Sequence, residues 1–222
     1  VMLYQQFTRK AENLTVENSR QLLNQTTINL EDYLRNMRRI SDAMYYTVIK
    51  NTDIGSESLD DSMTLLYEAN KDKLVSIACY TNDGNLTAAA PIATEKRDVD
   101  VKEQKWFRDT AGELENFHFS TPHVQNLFDD PSFRYYWVVS LSRTVELTRN
   151  GTSMLGVLLV DMNYSSIERI LDKANSASVS SEYVYLMDPS GEIIYHPKQE
   201  LIRMGRFQEN NQEAVRASDE SW

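Results

Sequence analysis

The first fifty residues contain neither glycine nor proline, the two strongest helix interrupters. Across them apolar side chains recur mostly three or four positions apart, at Leu22, Leu23, Leu30, Leu34, Met37, Ile40, Met44 and Val48. The opposite face is polar, with Glu17, Gln21, Asn24, Asn29, Glu31, Arg35, Arg38 and Arg39. This period predicts one amphipathic helix of about 45 residues, roughly 65–70 Å long at 1.5 Å per residue. Asn51-Thr52-Asp53-Ile54-Gly55 ends it with turn residues and a C-terminal glycine. A shorter helix is predicted next, with Ser58 as N-cap, Asp60 and Asp61 in its first turn, and Leu65, Leu66 and Ala69 on one face.

The period then changes to that of strands. Leu74 to Tyr80 predicts a strand, Asn82-Asp83-Gly84-Asn85 a turn, and Leu86 to Ala90 a return strand closed by Pro91. Further strands are predicted at Phe117 to Ser120, Tyr135 to Arg143 and Met154 to Asp161, with a short helix over Val101 to Gly112. Ser165 and Glu168 form a capping box for a helix reaching about Ala174. Asn175 to Ser181 is small and polar and reads as a linker. Tyr183 to Met187, the turn Asp188-Pro189-Ser190-Gly191 and Glu192 to Pro197 then repeat the earlier hairpin. Ile77 stands seven residues before Gly84 and Val184 seven before Gly191, and each return strand ends at a proline. Two such matches at the start of two successive segments predict a tandem of similar α/β units. About 25 residues remain after Pro197, with one helix predicted over Glu209 to Ala217, which is short of a second full sheet. The expected fold class is α+β: a stalk helix (residues 1–55), a first unit with an antiparallel sheet (56–174), and a small or incomplete second unit (175–222).

The chain has 222 residues, 41% of them hydrophobic, which is ordinary globular composition. Lys plus Arg is 23 against 33 for Asp plus Glu, so the net charge is 23 − 33 = −10. With no basic stripe to reverse that sign locally, nucleic acid is excluded as a partner. One cysteine, Cys79, forbids an intrachain disulfide and any multi-cysteine metal site. The longest apolar run, Met154 to Val160 with Gly156 inside it, is too short to span a bilayer. The start, Val1-Met2-Leu3-Tyr4, has no signal-peptide pattern and reads as a cut inside a longer chain. No phosphate-binding glycine motif, catalytic triad or metal-ligand spacing occurs.

Several stretches resemble the double Cache (PAS-like) sensor domains of bacterial transmembrane receptors. They are Tyr80-Thr81-Asn82-Asp83-Gly84, Lys105-Trp106-Phe107, Phe119-Ser120-Thr121-Pro122-His123, Trp137 to Arg143, Gly156 to Asp161, and Asp188 to Pro197. The resemblance covers nearly the whole chain, and Gly156 to Asp161, after a long strand and before a capped helix, is its most specific piece. The Ser140-Leu141-Ser142-Arg143 strand and the Tyr195-His196-Pro197 ending are most similar to sensor histidine kinases of Gram-positive bacteria. The resemblance implies tandem PAS-like units on the extracellular side of the cell membrane, anchored by flanking transmembrane helices outside this sequence. It implies a small-molecule ligand in the membrane-distal unit, a homodimer through the N-terminal helix, and no catalysis by the domain itself. It calls for no cofactor and no metal.

On this reading the ligand-binding residues are Trp106, Phe107, His123, Asp161, Tyr80 and Ser140. Trp106 and Phe107 offer flat apolar walls, and a carboxylate at Asp161 suits an ammonium or a polyol. The bland reading of the same residues is core packing for the two aromatics and a helix cap for Asp161. Amino-acid-binding members of the family place a Tyr and an Arg just upstream of the Trp-aromatic pair. Here the Arg position holds Gln104 and the Tyr position falls at about Val99. Without a bidentate guanidinium a free α-amino acid loses its carboxylate clamp, which favours a sugar-like, amine or other neutral ligand. His118, His123 and His196 are scattered, against a metal site. Tyr136, Trp137 and Arg143 lie on strands whose inward parity the sequence leaves open. Two other function classes compete: a pocketless interaction module that docks through the long helix and the acidic surface, and a hydrolase using Asp161 with His123.

Overall fold

The computed structural model describes residues 2–54, 56–92, 94–111, 117–132, 134–177, 183–188 and 191–210. The N-terminal segment forms an α-helix, α1 (Met2–Asp42), which widens into a π-helical turn, Ala43–Val48, and tightens into a 3-10 turn, Ile49–Asn51. The helical run therefore stops at the turn residues that the sequence offers. The second helix, α2 (Glu57–Asn70), begins earlier than expected, with Ser56 rather than Ser58 at the cap. Its buried face is Leu59 and Met63, whereas Leu65 is 71% exposed and Ala69 is also exposed. The helix carries two short apolar stripes, and only one of them can face inward.

The strands are β1 (Leu74–Thr81), β2 (Leu86–Ala90), β3 (Phe117–Phe119), β4 (His123–Gln125), β5 (Tyr136–Arg149) and β6 (Thr152–Asn163). They form one antiparallel sheet in the order β2-β1-β6-β5-β3, with β4 also paired to β5. Gly84 sits in the first hairpin turn at φ 83°, a conformation that glycine adopts without steric cost. β5 and β6 are both longer than expected because they run to a two-residue turn, Asn150-Gly151, where both residues have positive φ. An Asn-Gly pair between alternating strands is a strong hairpin signal, and it marks the join directly. β4 was not expected; its three residues are too few to show a period. Between β2 and β3 lie a 3-10 turn, Val101–Glu103, and a helix, α3 (Lys105–Thr110).

The pairing register settles which residues share a face. Ser76, Ala78 and Tyr80 on β1 stand opposite Asp161, Leu159 and Val157 on β6, and these stand opposite Ser140, Ser142 and Thr144 on β5. This face carries a buried cluster of Ala78, Tyr80, Val157 and Leu159 with Trp106 and Phe107 from α3 and Leu127 and Phe128 from the loop after β4. Ile77, Cys79, Leu141, Arg143, Leu158 and Val160 point the other way. The helical turn around Asp42–Tyr46 meets that second face at Arg143.

The chain divides into two compact units, residues 34–165 and residues 1–33 with 166–222. α4 (Ser165–Ala177) begins at the last residue of the former, where Asn163 Oδ1 accepts the Ser165 N–H at 3.0 Å. It continues past the expected end, so Asn175 to Ala177 are helix and not linker. The Asn175 side chain acts as a strand partner would: its amide donates to the Val184 carbonyl (2.9 Å) and accepts the Val184 N–H (2.7 Å). The second hairpin is small, as expected, with β7 (Leu186–Met187) and β8 (Ile193–Tyr195). A one-turn helix, α5 (Gln199–Arg203), follows it and was not foreseen. Of the helix expected over Glu209 to Ala217, Glu209 and Asn210 are not helical and the rest lies outside the described residues. Among the described residues, no helix is long and apolar enough to cross a membrane.

Candidate functional site

Asp161 lies near the end of the buried part of β6 and is only 1% exposed. Ser76 Oγ–H donates to its Oδ2 at 2.7 Å and Ser140 Oγ–H to its Oδ1 at 2.5 Å. Burial pushes the Asp161 carboxyl above its ordinary pKa, and the Ser140 and Ser76 hydroxyls and nearby His123 draw it only part of the way back. Among the described residues no Lys or Arg forms an ion pair with it. A carboxylate with four lone-pair sites, two of them used by neutral hydroxyls, can still accept from a donor of a ligand.

His123 reaches this carboxylate through Ser140. Its Nε2 is 3.3 Å from Ser140 Oγ, whose own proton is committed to Asp161. Its Nδ1 is 2.9 Å from the Thr121 carbonyl and 3.2 Å from Ser120 Oγ. Ser120 holds β4's approach in place, because its hydroxyl accepts the Ser140 N–H and its own N–H donates to the Ser140 carbonyl, both at 2.9 Å. This order is unsuited to nucleophilic catalysis. A serine nucleophile must give its proton to the imidazole, and Ser140 gives it to the carboxylate.

Tyr80 lies on the same face, fully buried, with the Glu95 carboxylate beside its hydroxyl. Burial raises its pKa, and the nearby carboxylates of Glu95 and Asp161 raise it further. Glu95 is held over the face by an antiparallel bridge to Phe128, flanked by Lys96 N–H to the Leu127 carbonyl and Asp129 N–H to the Thr94 carbonyl, both 2.9 Å. Trp106 stands 5.8 Å from the Tyr80 ring and 5.7 Å from Phe107, edge-on to the latter. α3 is tied to β5 by Thr144 Oγ–H donating to the Thr110 carbonyl (2.6 Å) and by the Thr110–Ser142 hydroxyl contact (2.7 Å).

Tyr80, Trp106, Phe107, His123, Ser140 and Asp161 thus meet on one face of the sheet. Trp106 and Phe107 do so as members of a packed apolar cluster. Gln104 caps α3, and Val99 packs against the cluster. Arg143 is on the opposite face and Arg108 is exposed, so neither stands in for the missing guanidinium. His118 is on β3, and His196 belongs to the other compact unit, where Tyr183 Oη–H and the His196 ring converge on Glu209 Oε2 at 2.7 and 2.9 Å. Among the described residues no group of three or more His, Cys, Asp and Glu is placed to hold a metal.

Sequence reasoning overlooked Ser76, Ser120 and Glu95. Ser76 carried a usable signal, since a lone serine inside an apolar strand is a buried hydroxyl in need of a partner. It also overlooked a cavity of about 240 Å³ beside Ser76, whose lining includes Tyr67, Lys96, Gln125, Tyr136 and Asn163.

Comparison with known proteins agrees with this fold. The Cache domain family matches residues 7–221. No curated protein matches the chain. Among solved structures, the ligand-binding domain of the Pseudomonas aeruginosa PAO1 amino acid chemoreceptor PctC in complex with GABA superposes with a TM-score of 0.63 at 17% identity, covering 85% of this chain and 79% of that one. The sensory domain of the Campylobacter jejuni chemoreceptor Tlp3 with isoleucine bound gives 0.61 at 15% identity, covering 95% and 82%. The ligand-binding domain of the Pseudomonas fluorescens chemoreceptor CtaA with L-serine gives 0.60 at 17% identity, covering 86% and 75%. At such identities the likeness is one of fold. With a family match that runs over nearly its whole length, the chain belongs to the Cache domain family.

Proposed function

We propose that this chain is the extracytoplasmic ligand-sensing part of a membrane receptor, and that residues 34–165 hold a small ligand anchored by Asp161. The observation that carries this reading is the buried Asp161 carboxylate, met among the described residues by two serine hydroxyls and no Lys or Arg. Burying a charge without a full counter-charge is costly, and an ammonium or hydroxyl of a ligand offsets that cost. The relatives named above include receptors with amino acids bound. The position that Gln104 fills here argues for a ligand without a carboxylate. β5 supplies the route for a signal: Ser140 bonds Asp161 on one face, and three residues on Arg143 grips Asp42 of the helix on the other.

The finer assignments rest on resemblance. The output is a histidine kinase, on the likeness of the Ser140–Arg143 strand and the Tyr195-His196-Pro197 ending; a methyl-accepting rod beyond the second membrane span in the complete coding sequence would make it a chemotaxis receptor instead. Dimerisation runs through the N-terminal helix, where Leu23 and Leu34, three turns apart on one side, are exposed. Sedimentation that shows only monomer at high concentration would remove the solution dimer.

The anchoring role is tested by thermal-shift screening of amines, polyols and amino acids on wild type and Asp161→Ala. A ligand at about a hundredfold its dissociation constant adds about 2.7 kcal/mol. That gain is expected in wild type and absent from the variant. A variant that melts lower yet keeps its full ligand shift makes Asp161 structural and ends the assignment.

A further inference from the structure

The cavity beside Ser76 has a chemistry of its own. It is bounded by the end of α2, the residues after β2 and the loop between β4 and β5. Its charged groups are largely engaged or balanced. Lys71 Nζ pairs with Glu68 at 2.8 Å, and Asp130, which accepts the Ser132 N–H and hydroxyl at 2.7 and 2.6 Å, has the Arg134 cation as its counter-charge. Lys96 and Asp129 are left as one cation and one anion. A ligand with a single net charge meets one of these and is opposed by the other. A hydroxyl can accept from the first and donate to the second.

The remaining polar lining is neutral. Ser76 gives its proton to Asp161, so its oxygen lone pairs are free to accept. Gln125 and Asn163 bring planar amides. The Tyr67 and Tyr136 phenols stand close to one another, and burial raises the pKa of Tyr67; each ring offers a hydroxyl and a face for carbon-bound hydrogens. Tyr135, 77% exposed, adds a further ring at the rim. The cavity, about 240 Å³, lies below the range usual for drug-sized ligands and suits one sugar ring or a short alditol.

We propose that this cavity is a subsite for a neutral polyhydroxylated ligand, a monosaccharide or an alditol, joined to the Asp161 network through Ser76. The proposal rests on the reading of residues 34–165 as the ligand-binding unit and adds to it the ligand class and a second set of residues.

The test is titration calorimetry and thermal shift on the chain as it stands, with a panel of neutral aldohexoses, aldopentoses and alditols. The standard amino acids and inorganic phosphate serve as controls. At least one neutral panel member should bind, and Tyr67→Phe/Tyr136→Phe, which keeps both rings, should weaken it about tenfold or more. Gln125→Ala, a half-buried position on β4, should weaken it as well and guards against a misfolded double variant. Binding by phosphate or amino acids alone overturns the proposal, as does a panel with no binder, or sugar binding that both variants leave intact. Loss of sugar binding in Asp161→Asn but not in the tyrosine variant keeps the Asp161 reading and overturns this one. Loss in the tyrosine variant but not in Asp161→Asn upholds the cavity and withdraws the Asp161 anchor.

Discussion

The two faces of the central sheet each bury one charged side chain and meet its charge by different means. On the helix-facing side Arg143 is 1% exposed, and its Nη1–H donates to Asp42 Oδ1 at 2.7 Å. Its guanidinium carbon lies 4.4 Å from the Phe117 ring centroid, 4.8 Å from Tyr45 and 5.5 Å from Tyr46. The π-helical turn brings both tyrosines, adjacent in sequence, within reach of the same cation. On the other side Asp161 has, among the described residues, hydroxyl donors alone, with His123 one serine away. A guanidinium keeps its charge at every physiological pH and so requires a permanent counter-ion and stacking partners. A carboxylate can be neutralised by a proton or matched by a ligand. One face is therefore settled within the fold, and the other stays open to chemistry from outside.

The sharpest way to break this contrast is Asp42→Ala, which leaves the Arg143 guanidinium buried with its rings alone. We expect a loss of about 2–4 kcal/mol, below the usual cost of orphaning a buried charge because Asp42 is itself partly exposed to water. Chemical denaturation measures it, and a loss under about 0.5 kcal/mol would mean that the aromatic rings alone suffice. Gly156→Ala probes the sheet's packing next. A Cβ there would meet the Tyr80 carbonyl oxygen and the Leu147 side chain, and backbone cannot yield as a side-chain tip can. Overpacking of this kind costs about 1–3 kcal/mol, read from the same denaturation curves.

A smaller, pH-dependent effect is expected on the open face. The Asp161 carboxyl is raised by burial, so on acidification the folded chain takes up this proton before the unfolded chain does. Its ionisation therefore weakens the unliganded fold as pH rises through the folded pKa, and the penalty vanishes below the unfolded value of about 4. Asp161→Asn removes the penalty, so its melting temperature relative to wild type should be highest near neutral pH and fall steadily towards pH of about 4. The reverse trend would mean that His123, as a cation, holds the carboxylate in its charged form. The smallest change is expected outside the sheet, at the exposed Lys105–Asp109 pair on α3. Lys105→Gln should alter stability by no more than about 0.5 kcal/mol, which calibrates the buried charges against a solvated one.

Much of the architecture was legible in the residues, because periodicity is a local property. The glycine- and proline-free run, the hairpin at Asn82–Asn85 and the apolar stretch before Asp161 each announce their element without reference to anything distant. Errors arose where two local signals competed. α2 offers two apolar stripes, and Asn175 reads as linker until Val184 is brought beside it. The Asn150-Gly151 turn was legible and passed over.

Sequence by itself determined the α+β class, the long helix and the family, because each depends on residue type at short spacing or on a matched motif. Tertiary structure alone decided which strand residues share the face with Asp161, since a strand's parity is the same in sequence whichever side is covered. It brought Ser76, Ser140 and His123 to one carboxylate across separations of 85, 21 and 38 residues. It also turned Arg143, three residues from Ser140, to the opposite side of the sheet. An odd step along a strand reverses the direction of a side chain, so neighbours in sequence serve different faces while partners in chemistry come from distant strands.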